Sequence, residues 1–377
     1  VLSGTGSDGA EGAREVKGAG GLVFVQDPRE AKYDGMPQSV LDQGGADIVS
    51  KANEIVDVVR DYFNLRTGAE NEPSDDGEFL ARIIRHVRFR TGHDFSEYKH
   101  GTMMRRIAVR MSVLNLPYPG DYLKYIAENK EEAELLFRDL LINVTSFFRD
   151  ADHFETLRQQ IIPEIVENCE EHGEIRVWCA GCSPGEEAYS LAILLAEEVS
   201  RTKVQCKVII FGTDIDEAAL MKARAGVYGD TISESVSAEL LDRYFAPRNN
   251  GYEVGARLRE MVRFSRHSFV KDPPFSKLNL VSCRNVLIYF KESLQDTAVR
   301  VFHYALMEGG QLFIGPSENP APVHEYFTEA SSRARLFRRR PGVARLLSLG
   351  TLSGAATVVT GVREEPPAST TEESDIV

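Results

Sequence analysis

The sequence has few cysteines, a single tryptophan and no long apolar run. Its five cysteines are an odd number in 377 residues, which argues against a disulfide scaffold and fits reduced thiols in the cytoplasm. No run approaches the roughly 18 apolar residues that a membrane-spanning helix needs. The start of the chain also lacks the basic and apolar regions of a secretory signal. We therefore expect a cytoplasmic protein without direct membrane insertion.

An excess of positive charge is also missing, because the formal net charge is -13. This balance argues against a general nucleic-acid binder, so we expect no nucleic-acid partner. Basic residues are nevertheless concentrated between Arg82 and Arg110, where only Asp94 and Glu97 oppose them. One basic region in an acidic protein predicts a local acidic partner.

A metal site is not predicted. Cys179-x-x-Cys182 has the spacing of half a zinc site, but no second Cys pair or Cys/His pair completes a set of four ligands. These two cysteines are better explained as small apolar neighbours of a glycine-rich loop.

Composition and periodicity divide the chain into five segments. Residues 1–63 combine a short apolar strand with helix and turn signals, and the polar, turn-rich residues 64–78 are typical of a linker. Residues 79–155 carry apolar side chains at helical spacing, which predicts a small helical domain. Residues 156–340 alternate strand and helix patterns, whereas the Gly-, Ser-, Thr- and Pro-rich residues 341–377 are predicted to be disordered.

The alternating segment predicts an α/β fold with a mostly parallel sheet covered by helices. The predicted strands are Ile175–Cys179, Val208–Thr213, Met261–His267, Leu278–Cys283 and Gln311–Gly315. The predicted helices between them are Glu186–Val199, Glu217–Ala225 and Ser293–Met307.

A glycine-acidic run follows the first of these strands. Gly181 and Gly185 allow a tight turn and a close approach to a ligand. No Gly-Lys-Ser/Thr follows, so the run is not a phosphate loop. Glu186 suits a cationic or hydroxylated ligand, but it also suits the positive end of a helix dipole. The loop alone does not decide between these two interpretations.

The second strand ends at Asp214, a position where a carboxylate usually binds ribose hydroxyls. A dinucleotide site would need Gly-x-Gly-x-x-Gly, and Gly181 and Gly185 have a different spacing. An acidic loop and an acidic second strand without a phosphate cradle fit S-adenosylmethionine, which carries a ribose and an amino-acid group but no phosphate.

Five motifs in order resemble the chemotaxis receptor methyltransferases of CheR type over roughly residues 79–340. They are Asn143–Arg149 (NVTSFFR), Ala180–Glu187 (AGCSPGEE) with Tyr189-Ser190, Thr213–Asp216 (TDID), Cys283–Phe290 (CRNVLIYF) and Gly315–Glu318 (GPSE). The resemblance implies a Rossmann-like S-adenosylmethionine-dependent methyltransferase sheet, a small N-terminal all-helical domain and a small inserted β-subdomain. It also implies methyl transfer to glutamate side chains of chemotaxis receptors, which forms glutamyl methyl esters in sensory adaptation.

By this resemblance, Asn143, Thr145 and Arg149 contact the cofactor from the junction of the two domains. Arg149 would pair with the carboxylate of the cofactor, because a guanidinium fork matches that geometry. Glu186 and Asp214 would hold its amino or ribose groups. The alternative for the segment from Asn143 to Arg149 is a helix-ending turn with an ion pair.

The same resemblance assigns the remaining part of the pocket. Ser268 and Phe269 would lie beside the adenine, although the family often has Asn at the position of Ser268. Arg284 and Asn285 would line the methyl-bearing end. A glutamate acceptor is already ionised near neutral pH and needs no general base. Tyr289 is therefore predicted only to orient the acceptor, and its alternative is an aromatic side chain that ends a buried strand.

The basic region would meet acidic receptor helices. Lys99, Arg105, Arg106 and Arg110 are the predicted docking residues, and the alternative is a solvated surface face. Residues 246–264, predicted to form the inserted β-subdomain, are fewer than in relatives that grip a receptor's terminal peptide. This difference argues against binding of a tethering peptide.

The first residues resemble the end of a chemotaxis receptor methylesterase domain of CheB type. The matching stretches are Val1–Gly9, Gly20–Pro28 and Asp34–Pro37, and Asp8 falls at the acid of the Ser/His/Asp triad. A triad acid alone cannot hydrolyse an ester, so this piece is predicted to be inactive; alternatively, Asp8 caps a helix. Because the chain starts without Met, we expect a fragment or processed product of a fusion. A non-catalytic S-adenosylmethionine-binding signalling module is the alternative function.

Overall fold

The structure is a computed structural model that describes residues 1–18, 21–56, 59, 76–319 and 321–341. Within these ranges, no helix combines the length and apolar character needed to cross a membrane. The predicted 64–78 linker and 341–377 tail lie outside the described residues except at their edges.

The described residues up to 56, called the amino-terminal unit below, include two short strands and two helices. In chain order these are α1 (Ala10–Gly18), β1 (Phe24–Gln26), α2 (Gly35–Asp42) and β2 (Ile48–Ser50). The two strands pair in parallel. Val23, Val25 and Val40 form a small core with two alanines of α1, so the unit has apolar packing of its own.

Four helices follow and form the helical unit. They are α3 (Asp76–Thr91), α4 (His100–Val113), α5 (Pro119–Glu128) and α6 (Lys130–Leu140). The apolar stripe Leu80, Ile83 and Val87 of α3 is buried against Tyr122 and Leu136, as its helical spacing predicts. Helix α3 starts at Asp76, so the last residues of the predicted linker are already helical.

The core of the helical unit ends at Leu140, well before the predicted boundary at residue 155. Phe147 and Phe154 are buried in the core of the following sheet domain instead. Helix α7 (Ala151–Thr156), a π-helical turn and α8 (Ile162–Glu167) therefore pack with the sheet. Helical periodicity alone does not show this, because it does not identify the core against which a helix packs.

The main sheet has seven strands in the order β11-β12-β10-β9-β3-β4-β8. They are β3 (Glu174–Ala180), β4 (Lys207–Asp214), β8 (Val262–Arg266), β9 (Leu278–Cys283), β10 (Leu306–Ile314), β11 (Phe327–Ser331) and β12 (Leu336–Arg339). Strands β8, β4, β3, β9 and β10 are parallel, and β12 is antiparallel to both β10 and β11.

Helices cover this sheet and complete the α/β fold. They are α9 (Glu186–Thr202), α10 (Glu217–Ala225), α11 (Ala238–Tyr244), α12 (Ala256–Met261), α13 (Glu292–Ala305) and α14 (Val323–Tyr326). The central strands are apolar and buried on both faces, which is typical of parallel strands between helix layers.

All five strands predicted for the main sheet are present, and two of its seven described strands were not predicted. The predicted strand Gln311–Gly315 is the end of β10, which starts at Leu306 and shifts register before Gln311. The two additional strands, β11 and β12, are short and antiparallel to their neighbours; β11 forms the edge of the sheet, and β12 ends in two arginines. No simple alternation of apolar and polar residues marks either strand.

The inserted β-subdomain is present with different bounds from those predicted. Its strands are β5 (Val227–Tyr228), β6 (Phe245–Arg248) and β7 (Gly251–Val254). They form an antiparallel sheet in the order β5-β7-β6. Residues 256–264 of the predicted span instead form α12 and the first part of β8, and β8 joins the main sheet. The pattern of apolar residues does not show whether a strand belongs to the inserted sheet or to the main sheet.

Candidate functional site

A cavity lies at the carboxyl edge of the main sheet, against the helical unit. Residues that follow β3, β4 and β9 line one side, and residues 93–94 and 96–98 of the helical unit line another. Ligands of open α/β sheets bind at this edge, because loops from neighbouring strand ends converge there. Both units therefore contribute to one cavity.

The loop after β3 needs glycine at two positions. Gly181 has φ +76°, and a Cβ there would lie 2.6 Å from Cγ2 of Val286. Gly185 has φ +100°, and a Cβ there would lie 2.8 Å from Cβ of Ala223. A side chain at either position would collide with these neighbours, so the loop can pack this closely only with glycine. This geometry explains the glycines that the sequence indicated.

Asp214, at the end of β4, holds the loop after β3 in place through a hydrogen bond. One carboxylate oxygen accepts a hydrogen bond from the Ser183 backbone N–H at 2.9 Å, and the other accepts one from the Asp216 N–H at 2.9 Å. Burial raises the pKa of Asp214, although these backbone donors oppose the rise. The carboxylate also lines the cavity, where its remaining lone pairs are available to hydroxyl donors.

Asn143 belongs to the same hydrogen-bond network. Its amide nitrogen donates to Asp216, and its oxygen accepts a hydrogen bond from the Ser183 hydroxyl at 3.0 Å. Asn143 and Thr145 both line the cavity. The junction between the helical unit and the sheet is therefore tied to both strand-end loops through polar side chains.

Arg149 lines the cavity with its guanidinium group largely shielded from solvent. One terminal nitrogen donates to the Val144 carbonyl at 2.9 Å. The other lies 3.4 Å from Oε1 of Glu15, which belongs to the amino-terminal unit. A cation at this position can bind a carboxylate of a ligand, but here it already has an acidic neighbour.

The Arg284 side chain is fully buried and has several partners within the protein, so its role is not only to contact a ligand. Its guanidinium group lies over the rings of Phe154 and Phe313, at 5.0 and 4.7 Å from their centroids. It pairs with Asp150 at 2.5 Å and with Glu187 at 3.4 Å. It also donates to the Arg149 carbonyl at 2.8 Å. Arg284 thus lines the cavity and also holds the Arg149 segment in position.

Of two adjacent glutamates at the start of α9, Glu187 is the one in the cavity wall. It accepts a hydrogen bond from the Ser282 hydroxyl at 2.6 Å. Sequence reasoning selected Glu186 and missed Glu187, because side chains of successive helical residues point about 100° apart and the motif does not give that phase. The signal in the sequence that could have pointed to Glu187 was the presence of two adjacent glutamates.

Glu186 is buried beside the cavity instead. Its Oε2 has no hydrogen-bond partner among the residues that the structure describes. Burial raises the pKa of Glu186 to about 7. The helix-capping alternative holds in part, since Glu186 lies in the first turn of α9 after the left-handed Gly185. A buried carboxylate oxygen without a partner among the described residues also fits a hydrogen-bond donor or cation from a ligand.

Ser268 and Phe269 line the cavity after β8. The Ser268 backbone N–H donates to Asp272 at 2.7 Å, which closes a short loop. The helical unit adds His93 and Tyr98, which share a hydrogen bond of 3.2 Å. These two residues were missed by the sequence analysis, because nothing in their local pattern separates them from core aromatics.

Asn285 and Tyr289 line the cavity on the loop after β9. Asn285 has a left-handed backbone with φ 58°. The buried carboxylate of Glu318 accepts hydrogen bonds from the N–H groups of Val286 at 2.9 Å and Leu287 at 3.2 Å, which holds this loop in place. Burial raises the pKa of Tyr289 to about 12, so its hydroxyl is protonated near neutral pH. Glu318 was quoted as part of a motif but was not predicted to have this role.

The four basic residues predicted to dock a receptor have different environments. Lys99 is exposed, and Arg105 is half-buried with a hydrogen bond of 3.3 Å to Thr102. Arg106 is buried in an ion pair with Asp47 of the amino-terminal unit. Arg110 pairs with the buried Glu132 at 2.6 Å. Helical spacing does not reveal these internal partners, and they remove Arg106 and Arg110 from the predicted exposed face.

Asp8 lies in an exposed turn immediately before α1. It is part of the amino-terminal unit and is distant in sequence from every residue of the cavity wall. Its expected role as a triad acid stays a prediction.

The site fits the expected methyl donor by its chemistry. Gly181 lines the cavity without a side chain, and Asp214 and Glu187 are acceptors for hydroxyl or amino groups. Arg149 supplies a cation for a carboxylate.

Three family models match the chain in sequence order. Residues 143–336 match the CheR methyltransferase, SAM binding domain. The chain belongs to the CheR methyltransferase family. Residues 78–141 match the all-alpha domain of the same family, and residues 1–59 match CheB methylesterase. These matches confirm the predicted family, the S-adenosylmethionine cofactor and the identity of the amino-terminal unit.

Relatives include both shorter and longer proteins. The chain is 37% identical over 372 residues to an uncharacterized 104.1 kDa protein of Rhodobacter capsulatus, with 92% of this chain and 39% of that protein covered. It is 33% identical over 242 residues to the chemotaxis protein methyltransferase of Listeria monocytogenes, covering 63% of this chain and 90% of the relative. For the Escherichia coli chemotaxis protein methyltransferase, the identity is 31% over 260 residues, covering 66% and 86%. The chain thus spans well under half of the longest of these three.

Proposed function

We propose that this CheR-family enzyme methylates glutamate side chains of chemotaxis receptors, forming glutamyl methyl esters. The observation that carries the proposal is the shared cavity. Tyr98 of the all-alpha domain and Asp214 and Asn285 of the SAM-binding domain line the same cavity. A methyl donor on the strand ends would therefore lie next to the unit that we expect to meet the receptor.

We assign the cofactor to the part of the wall formed by the strand-end loops. Asp214 and Asn143 would hold ribose hydroxyls, Arg149 the carboxylate, and Glu187 the amino group. Phe269 and Ser268 would lie beside the adenine. When bound, S-adenosylmethionine supplies an activated sulfonium methyl group.

The acceptor needs little chemical help from the protein. A glutamate carboxylate is ionised near neutral pH and attacks without a general base. The protein contributes by aligning the two reactants and excluding water, an effect that accounts for much of the rate in such transfers. Tyr289, whose protonated hydroxyl can donate a hydrogen bond, is our candidate for orienting the acceptor carboxylate.

We further propose that the receptor approaches along the basic part of the all-alpha domain. Lys99 and Arg105 remain the docking candidates there, together with the exposed Arg82 and Arg85 of α3. Positive potential on this side would attract acidic receptor helices. We also propose that this protein docks on a receptor without binding the receptor's terminal peptide as a tether.

The test is methyl transfer with isotopically labelled S-adenosylmethionine and cytoplasmic receptor fragments. We expect base-labile label on receptor glutamates, located by mass spectrometry of the peptides. The matched control is a fragment in which the labelled glutamates are replaced by alanine, which should take up no label. Cofactor binding without transfer would contradict the proposal and favour a non-catalytic signalling module.

A further inference from the structure

The amino-terminal unit contacts the part of the molecule that binds the cofactor. Its helix α1 brings Glu15 to 3.4 Å from Nη2 of Arg149. Arg149 is the residue that we assign to the carboxylate of the cofactor, and its side chain is only 13% exposed, whereas Glu15 is 61% exposed. A carboxylate of the chain therefore lies where a carboxylate of the ligand would have to bind.

A second contact anchors the unit on the all-alpha domain. Asp47 forms a buried ion pair with Arg106, and both side chains are less than 5% exposed. Lys17, at the end of α1, lies 3.4 Å from the same carboxylate, and its carbonyl accepts a hydrogen bond of 3.3 Å from Arg106. Breaking a buried ion pair costs far more than breaking an exposed one. The Asp47–Arg106 ion pair is therefore the stronger of the two contacts, and the Glu15–Arg149 pair is the weaker.

The neighbouring side chain on α1 supports the same arrangement. Arg14 is close enough to lower the pKa of Glu186, against the larger effect of burial. Helix α1 thus lies near both Arg149, which precedes the glycine loop in the sequence, and the first turn of α9, which follows that loop. The unit approaches the cavity from the side where we assign the amino-acid group of the cofactor.

We infer that the amino-terminal unit is an intramolecular competitor of the cofactor, in which Glu15 occupies Arg149 until the cofactor carboxylate displaces it. The inference rests on the proposed function for its assignment of Arg149. Two carboxylates compete for one guanidinium group, so cofactor binding and docking of α1 oppose each other. Because the Asp47 anchor, which also holds the Lys17 end of α1, persists, displacement loosens α1 around Glu15 without releasing the whole unit. Coupling between two sites is reciprocal, so each event weakens the other by the same factor.

The first test measures cofactor affinity of the full chain by calorimetry. Glu15→Gln removes the competing charge, and we expect S-adenosylmethionine to bind roughly two- to fivefold more tightly, the range of an exposed ion pair. The matched control is Glu11→Gln, an exposed glutamate on the same helix, which should leave the affinity unchanged. Equal or weaker binding by Glu15→Gln would overturn the inference.

The second test detects the reciprocal effect by hydrogen exchange. Saturating S-adenosylmethionine should speed exchange of amides in α1 of the wild-type chain and have no such effect in Glu15→Gln. Exchange in α6, within the all-alpha domain, serves as the internal reference. Unchanged α1 exchange in a wild-type chain that binds the cofactor would refute the competition alone. Absence of cofactor binding, or unaltered binding by Arg149→Gln, would instead refute the proposed site.

Discussion

The carboxylate of Asp214 accepts a hydrogen bond of 2.9 Å from the backbone N–H of Ser183. This contact joins the end of β4 to the glycine loop after β3, so a single side chain shapes two of the strand-end loops that line the cavity. A residue predicted only to contact a ligand therefore also determines the shape of the site.

Replacing Asp214 should affect ligand binding and loop order together. In Asp214→Asn, the amide nitrogen must face one of two backbone N–H donors, which leaves a buried donor unpaired at a cost of about 1–3 kcal/mol. We expect S-adenosylmethionine to bind at least about tenfold more weakly by calorimetry. Asp242→Asn on the exposed side of α11 is the matched control. Unaltered affinity in Asp214→Asn would refute its assignment to the cofactor.

Arg284 should contribute to stability more than a typical surface arginine. Arg284→Met leaves the carboxylates of Asp150 and Glu187 without their buried partner, and we expect the free energy of unfolding to fall by about 3–5 kcal/mol. Denaturant unfolding measures this change. Arg300→Met removes an exposed pair with Asp296 and should cost less than about 1 kcal/mol. Similar losses in the two variants would show that the Arg284 network is not a stabilising one.

The pH dependence of stability should reveal the burial of Glu186. Its pKa rises from 4.5 to about 7 on folding, so the protonated form is favoured in the folded chain. The resulting stabilisation is complete below pH 4.5 and is lost as pH rises through about 7. Relative to Glu186→Gln, wild type should therefore lose roughly 1–3 kcal/mol of unfolding free energy between pH 5 and pH 8.

The control for this prediction is a solvent-exposed glutamate of the same chain. Glu170 is exposed, so Glu170→Gln should have a pH profile parallel to that of wild type. Other buried carboxylates, such as Glu318, are shared by all three chains and cancel in the comparison. A wild-type profile parallel to that of Glu186→Gln would contradict the expected burial effect.

Tyr289 should affect the transfer step more than cofactor binding. Tyr289→Phe keeps the ring and removes the hydroxyl, and losing one hydrogen bond in the transition state slows transfer by about tenfold. We expect the affinity for S-adenosylmethionine to stay within about twofold of the wild-type value. Tyr118→Phe, on an exposed residue, is the control for rate and affinity. A normal kcat in Tyr289→Phe would show that its hydroxyl does not orient the acceptor.

Much of the sheet could be predicted because local patterns follow its geometry. The buried strand Leu278–Cys283 and the helix Glu217–Ala225 have the predicted bounds. Apolar runs reflect burial between two helix layers, and Asp216 caps the following helix through its side chain. Strands β11 and β12 were missed because they are short and are defined by pairing with neighbouring strands, which their local pattern does not show.

The sequence by itself determined the family, the cofactor and the loops that meet at the cavity, because motif order and glycine spacing are local properties. Only the tertiary structure decided that Glu187 lines the cavity, whereas Glu186 is buried beside it. It also decided that Arg106 is covered by Asp47 and that Glu15 reaches Arg149. Helical phase and contacts between distant segments decide these points, since the partners of a charged side chain are set by packing in three dimensions.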